Sequence, residues 1–272
     1  MSEVTTMPDA GGEPEISGAQ TEVKAKRPVL IVKYCRGRLG GSALLLAIIQ
    51  RARWSGREVI AIDGDEASKT LRSYYPNGRP GAATIPPGAD AVDFKDLMLG
   101  EMAAMVTDRK SRVVDFSGGS RDMDEVMFEL NLPSFCDDYD IDLIAISMLG
   151  PDLEDFQHVI KAIDAGYLKP ENMLLVMNQG VLRGGNLDTA FVPILDDPRF
   201  QKLCADGALK MLMPRLPVMS KMREALVDVY QVASGRKPDG SIEQPVWSHM
   251  SKRWLADLEQ EYADAGITER LP

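Results

Sequence analysis

A buried strand, a glycine-rich turn, a helix and a second buried strand follow one another between residues 28 and 63, and few folds accept that order. Pro28 opens the run Val29-Leu30-Ile31-Val32, short, unbroken and rich in β-branched residues, as a strand covered on both faces should be. Arg36-Gly37-Arg38-Leu39-Gly40-Gly41-Ser42 makes a glycine-rich turn, and residues 43–54 carry the Leu, Ala and Ile content of a helix wedged against a sheet. Gly56 ends that helix, and Val59-Ile60-Ala61-Ile62-Asp63 is the next buried strand. Parallel strands joined by a helical crossover need both sheet faces covered, so this β-α-β unit predicts an α/β sheet.

The rest of the chain continues the alternation. Further strands are expected over residues 112–116, 143–148 and 173–177, with helical spacing over 94–105 and an amphipathic helix over 152–165 that Pro151 opens. Residues 73–90, with Pro76, Pro80, Pro86 and Pro87, read as a loop. The expected fold class is therefore a mostly parallel, doubly wound sheet with helices on both faces. With 272 residues, one large domain with tails is expected. Residues 1–27 read as a disordered acidic leader, 28–235 as the domain, and 236–272 as a linker followed by an amphipathic helix packing on the core.

Charge and cysteine content narrow the function classes. Lys and Arg number 31 against 41 Asp and Glu, a net charge of −10, so the molecule as a whole offers no bulk electrostatic grip on nucleic acid or anionic lipid. Half of that excess lies in residues 1–23, where Glu3, Asp9, Glu13, Glu15 and Glu22 meet no Lys or Arg. The dense basic stretch near the sheet, Arg51, Arg53 and Arg57, reads as a solvated helix end more than as a DNA contact. Cys35, Cys136 and Cys204 are widely separated and lack metal or disulfide spacing, which fits a reducing cytoplasm. No apolar run reaches the length of a membrane span. His158 and His249 lack ligand spacing and read as structural or surface residues, and Cys35 reads as a buried filler.

The glycine-rich turn carries the chemistry. Closely spaced glycines let backbone N–H groups converge on an anion, and the helix that follows turns the positive end of its dipole toward it. A hydroxyl, here Ser42, suits ligation of Mg²⁺, and a strand-end acid suits its water shell; Asp63, Asp65 and Asp115 are the candidates.

These residues resemble the ParA/MinD family of P-loop ATPases (SIMIBI class), whose deviant Walker A motif is K-G-G-x-G-K-[ST], followed after one helix and a glycine by a strand ending D-x-D. Without a gap, residues 36–42 lie on that motif, Gly56 on the helix-ending glycine and Asp63-Gly64-Asp65 on D-x-D. Val113-Val114-Asp115-Phe116-Ser117-Gly118-Gly119 is similar to the family's Walker B and switch II segment. Residues 174–179 are similar to the strand whose terminal Asn, here Asn178, contacts adenine, and Met213-Pro214 with Arg223-Glu224-Ala225 to its late strand and helix.

The resemblance implies binding of ATP or ADP with Mg²⁺. Gly37, Arg38, Gly40, Gly41 and Ser42 would then cradle phosphates, and Ser42, Asp63 and Asp115 would serve the metal. Asp65 would position water, and Arg36 would stand for the signature lysine that reaches across a nucleotide-sandwich homodimer. It further implies a nucleotide-dependent switch in DNA partition, plasmid maintenance or conjugative transfer, acting with a partner protein. Gly41, however, stands where the family has its Walker lysine, which neutralises charge during phosphoryl transfer. Hydrolysis is therefore expected to be slowed by about 10²-fold or more, or absent. The alternative is a pseudo-ATPase whose sheet is kept as a protein-interaction scaffold. Arg38, in place of a motif glycine, either compensates in cis or crowds the loop.

Overall fold

Strand β1 (Val29–Lys33) lies inside a seven-stranded sheet and is buried along its whole length. The computed structural model describes residues 26–65, 69–76, 78–84, 91–116, 121–182, 184, 189–237 and 239–272. After β1 come α1 (Gly41–Trp54), β2 (Val59–Gly64), α2 (Thr70–Tyr74), β3 (Ala82–Thr84), α3 (Ala91–Asp108) and β4 (Ser111–Phe116). The second half adds α4 (Arg121–Glu129), α5 (Leu132–Asp138), β5 (Asp142–Leu149), α6 (Leu153–Asp164), β6 (Met173–Asn178), α7 (Val192–Leu195), α8 (Pro198–Ala205) and β7 (Leu209–Met213). The chain ends in α9 (Met219–Glu224), α10 (Val229–Ser234) and α11 (Pro245–Asp264). The strand order is β3-β2-β4-β1-β5-β6-β7, and every pair is parallel. This is the doubly wound α/β sheet that the sequence predicts.

Strand side chains alternate between two cores. Leu30 and Val32 join Ile62, Val114 and Ala145 on the face covered by α3 and α6, while Val29 and Ile31 join Val113, Ile144 and Ile146 beneath α1. Lys33 is the next residue of that second set, so it falls on the α1 face. The chain leaves β1 toward β2 on one side of the sheet and leaves β5 toward β6 on the other. At the carboxyl edge of the sheet, the segments that follow β1, β2, β6 and β7 surround a crevice.

Two departures from the sequence reading are local. The segment expected as a loop contains β3 and runs into it from the end of α2. β3 is an edge strand of three residues, held by pairing with Ala61, Ile62 and Asp63 of β2 and not by any hydrophobic run of its own. Arg51 and Arg53 are not a solvated basic end. Arg51 forms a forked pair with Glu259 on α11 at 2.7 and 3.0 Å, and Arg53 donates to the carbonyls of Val59 and Gly81 while lying 4.0 Å from the Tyr75 ring. The leader and Ser117-Gly118-Gly119 lie outside the described residues.

α11 packs on α10 and β7 and buries Ser251, Trp254, Leu258 and Tyr262. The indole N–H of Trp254 donates to the Pro214 carbonyl at 2.8 Å. Among the described residues, no helix is long and apolar enough to cross a membrane.

Candidate functional site

The turn between β1 and α1 is held in an unusual conformation. Gly40 has φ 85° and Arg38 φ 67°, both left-handed, which glycine adopts freely and arginine only under strain. A Cβ on Gly40 would run into the side-chain amide of Asn178, so close approach as well as φ requires glycine there. α1 begins with no side-chain cap and no acid in its first turn. The amides of Ala43 and Leu44 share the Gly40 carbonyl, at 3.1 and 3.2 Å, and those of Gly41 and Ser42 have no intrachain acceptor among the described residues. Unpaired amides at the positive end of a 14-residue helix form an anion cradle in waiting.

Beneath the turn lies a side chain that the sequence reading passed over. The Lys33 ammonium forms an ion pair with Asp115 Oδ1 and donates to Ser42 Oγ at 3.4 Å. Lys33 and Asp115 are both buried. Burial favours the neutral lysine, but Asp115, with the Cys35 thiol and the Asp65 carboxylate, together outweigh it and raise the ammonium's pKa above the ordinary value. Burial likewise pushes the Asp115 carboxyl upward, against the opposing pull of Lys33 and of the Ser42 hydroxyl. The stem of Lys33 passes directly under Gly41: a Cβ there would stand 2.5 Å from Lys33 Cδ and 3.0 Å from Cγ.

The structure brings Ser42, Asp65, Asp115 and Asn178 together with the turn formed by Gly37, Arg38, Gly40 and Gly41, whereas the side chains of Asp63 and Arg36 are engaged with other partners. Asp63 lies at the end of β2 with Oδ1 accepting from the Asp65 amide at 3.0 Å and Oδ2 from the Arg72 amide at 2.6 Å. Its carboxylate organises the segment leading into α2. Burial raises the Asp63 pKa against these two hydrogen bonds. Asn178 donates to the Leu39 carbonyl at 2.8 Å and accepts from the Gly180 amide at 2.7 Å. It straps the turn to the end of β6, where an adenine contact was expected. Arg36 NH1 reaches back to Glu154 at 3.1 Å and Asp155 at 3.2 Å at the start of α6. Gly37 has open space around it. Cys35 is buried, and burial pushes its thiol up to about 11, which fits a filler and not a nucleophile. His158 stacks on Tyr34 at 5.2 Å, a packing role.

A cavity of about 600 Å³ opens over the turn. Among the described residues its lining carries Lys33, Arg36, Arg38, Arg215 and Arg223 with the carboxylate of Asp65; Lys33 and Arg36 are paired with Asp115, Glu154 and Asp155, so Arg38, Arg215 and Arg223 give the cavity its positive excess. The molecule is acidic as a whole, but this cavity is cationic, and its volume lies within the usual range for small-molecule sites. Lys33 and Arg215 escaped the sequence reading. The available signal for Lys33 was its charge: it closes a buried strand on the same side as the helix that follows.

Comparison with known proteins finds no matching family model and no matching curated protein. Solved structures of similar fold include apo McdA from Cyanthece, with 9% identity, a TM-score of 0.49, and 84% of this chain and 99% of that one covered. A plasmid partition protein from Borrelia burgdorferi bound to AMPPNP is similar at 10% identity and TM-score 0.46, covering 86% and 99%. The MinC:MinD cell division complex of Aquifex aeolicus is similar at 11% identity and TM-score 0.46, covering 84% and 96%.

Proposed function

We propose that this protein binds a nucleoside di- or triphosphate, ATP or ADP, in the crevice over the turn between β1 and α1, and that it works as a ParA/MinD-like switch. The observation that carries the reading is the cationic cavity of about 600 Å³ at the uncapped start of α1. Polyphosphate is the chemistry that such amides and guanidinium groups complement. Gly37, Arg38, Gly40, Gly41 and Ser42 would hold phosphate oxygens, with Arg215 and Arg223 at the far wall. Asp65, buried at the carboxyl edge of β2, is the side chain best placed to position a water molecule. Arg36 would have to leave Glu154 and Asp155 to reach phosphate, in cis or across a homodimer.

The partition, plasmid-maintenance or transfer role and the partner protein rest on the sequence resemblance. With no lysine at position 41, hydrolysis is proposed to be slow or absent.

A scaffold without nucleotide is the second reading. It is favoured by the engagement of Lys33 and Arg36 with protein carboxylates. Equilibrium titration of the purified full chain with ATP and with ADP separates the two. Saturable binding at micromolar to low millimolar concentration supports the switch, and no binding by either nucleotide leaves the scaffold.

A further inference from the structure

Ser42 and Asp115 are the oxygen pair expected to serve a divalent ion, and the Lys33 ammonium bridges them. Building on the nucleotide reading above, we propose that this ammonium is a tethered cation standing in for Mg²⁺, so that the cavity takes a nucleoside polyphosphate without a divalent metal.

Three observations converge on this. First, the ammonium has three N–H donors; Asp115 and Ser42 account for two, and the third has no partner among the described residues although Lys33 lines the cavity. A buried ammonium with a spare donor at the base of an anion cradle is suited to a phosphate oxygen. Second, two of the three strand-end acids suited to a metal's shell are already engaged, leaving Asp65 on the cavity lining. Asp115 is already neutralised by Lys33, and Asp63 is committed to two backbone amides. A divalent ion would have to lie against the lysine or displace it, and the described residues contain no cluster of three or more potential metal ligands.

Third, the path of the lysine depends on Gly41. Its stem occupies the space that a Cβ at position 41 would enter. A lysine on strand β1 and a glycine at the start of α1 are thus two halves of one arrangement, with the phosphate-facing charge moved from the helix to the strand beneath it.

The test is calorimetric titration of the full chain with ADP and ATP, once with Mg²⁺ and once with EDTA. The expected result is binding in both buffers, with Kd values within about threefold of each other, since loss of a charge-assisted contact would cost about tenfold or more. Lys33→Met is expected to weaken binding by at least that factor. Because that variant leaves Asp115 buried and unpaired, Lys33→Met combined with Asp115→Asn supplies an electrically balanced control, checked for folding by circular dichroism, and it too is expected to lose affinity. Binding that requires Mg²⁺ overturns the tethered-cation inference and leaves the nucleotide reading standing. Wild-type affinity in the folded double variant does the same. No binding in either buffer overturns both.

Discussion

Lys33 runs so close beneath Gly41 that a Cβ at that position would stand 2.5 Å from the lysine's Cδ. Glycine at position 41 is therefore more than a missing lysine, because any side chain there displaces the one below it.

The first prediction follows directly. Gly41→Lys, which on sequence grounds restores the family motif, will not restore ATP turnover and will lower stability by about 1–3 kcal/mol through overpacking. Thermal melts and a phosphate-release assay check both parts. Turnover rising well above wild type would show that the Lys33 stem yields easily.

Asn178 ties the turn to β6 through the Leu39 carbonyl and caps its own turn through the Gly180 amide. Asn178→Ala is expected to cost about 1–2 kcal/mol, since it leaves the half-buried Leu39 carbonyl without its donor and the Gly180 amide without its acceptor. Amide hydrogen exchange over residues 37–42 will quicken, and ADP affinity will fall with it. Unchanged exchange would remove the strap role.

Arg36 lines the cavity while its guanidinium is paired with Glu154, an exposed acid, and with the buried Asp155. Glu154→Gln removes the weaker hold while leaving the stronger one. ATP affinity is expected to rise by about two- to threefold, the scale of one exposed ion pair. Titration at low and high salt checks it, with the gain shrinking as salt screens the pair.

Arg112 is buried in β4 and takes a forked hold on Asp108, at 2.7 and 2.9 Å, with Glu101 at 3.2 Å. The Arg112 hydrogen bond keeps the Asp108 carboxyl below its ordinary range. Its folded pKa being depressed, Asp108 contributes its full stabilisation above the unfolded pKa of about 3.9 and loses it as pH falls through the folded value. Asp108→Asn should therefore cost about 1–2 kcal/mol at neutral pH, discounted for the partial exposure of the carboxylate, and should flatten the acid limb of the stability profile. Urea midpoints between pH 3 and pH 7 provide the measurement.

Trp254 of α11 is buried against the sheet face that carries α1. Trp254→Ala is expected to cost about 3–5 kcal/mol in cooperative unfolding. A separate early transition for the C-terminal helix would instead mark it as an independent unit.

What the sequence disclosed divides along physical lines. The run from β1 to β2 was legible because its signals are local: a β-branched stretch, closely spaced glycines, a helix and a stop. β3 was not, because its three residues form a strand only through pairing with β2. The glycine turn, Ser42, Asp65 and Asp115 were legible as a group. The relation of Lys33 to Asp115 was not, since it depends on β1 and β4 lying side by side with Ile31 level with Val113, a fact of register and not of composition. The bond of Asn178 to the Leu39 carbonyl was not legible either, since it depends on the end of β6 lying beside the turn after β1.

One further consequence belongs to α1. The helix is about 20 Å long, with the glycine turn at one end and, at the other, Arg51 clasped by Glu259 of the C-terminal helix. One rigid rod thus carries the open amides at its tip and the seat of the C-terminal helix at its base.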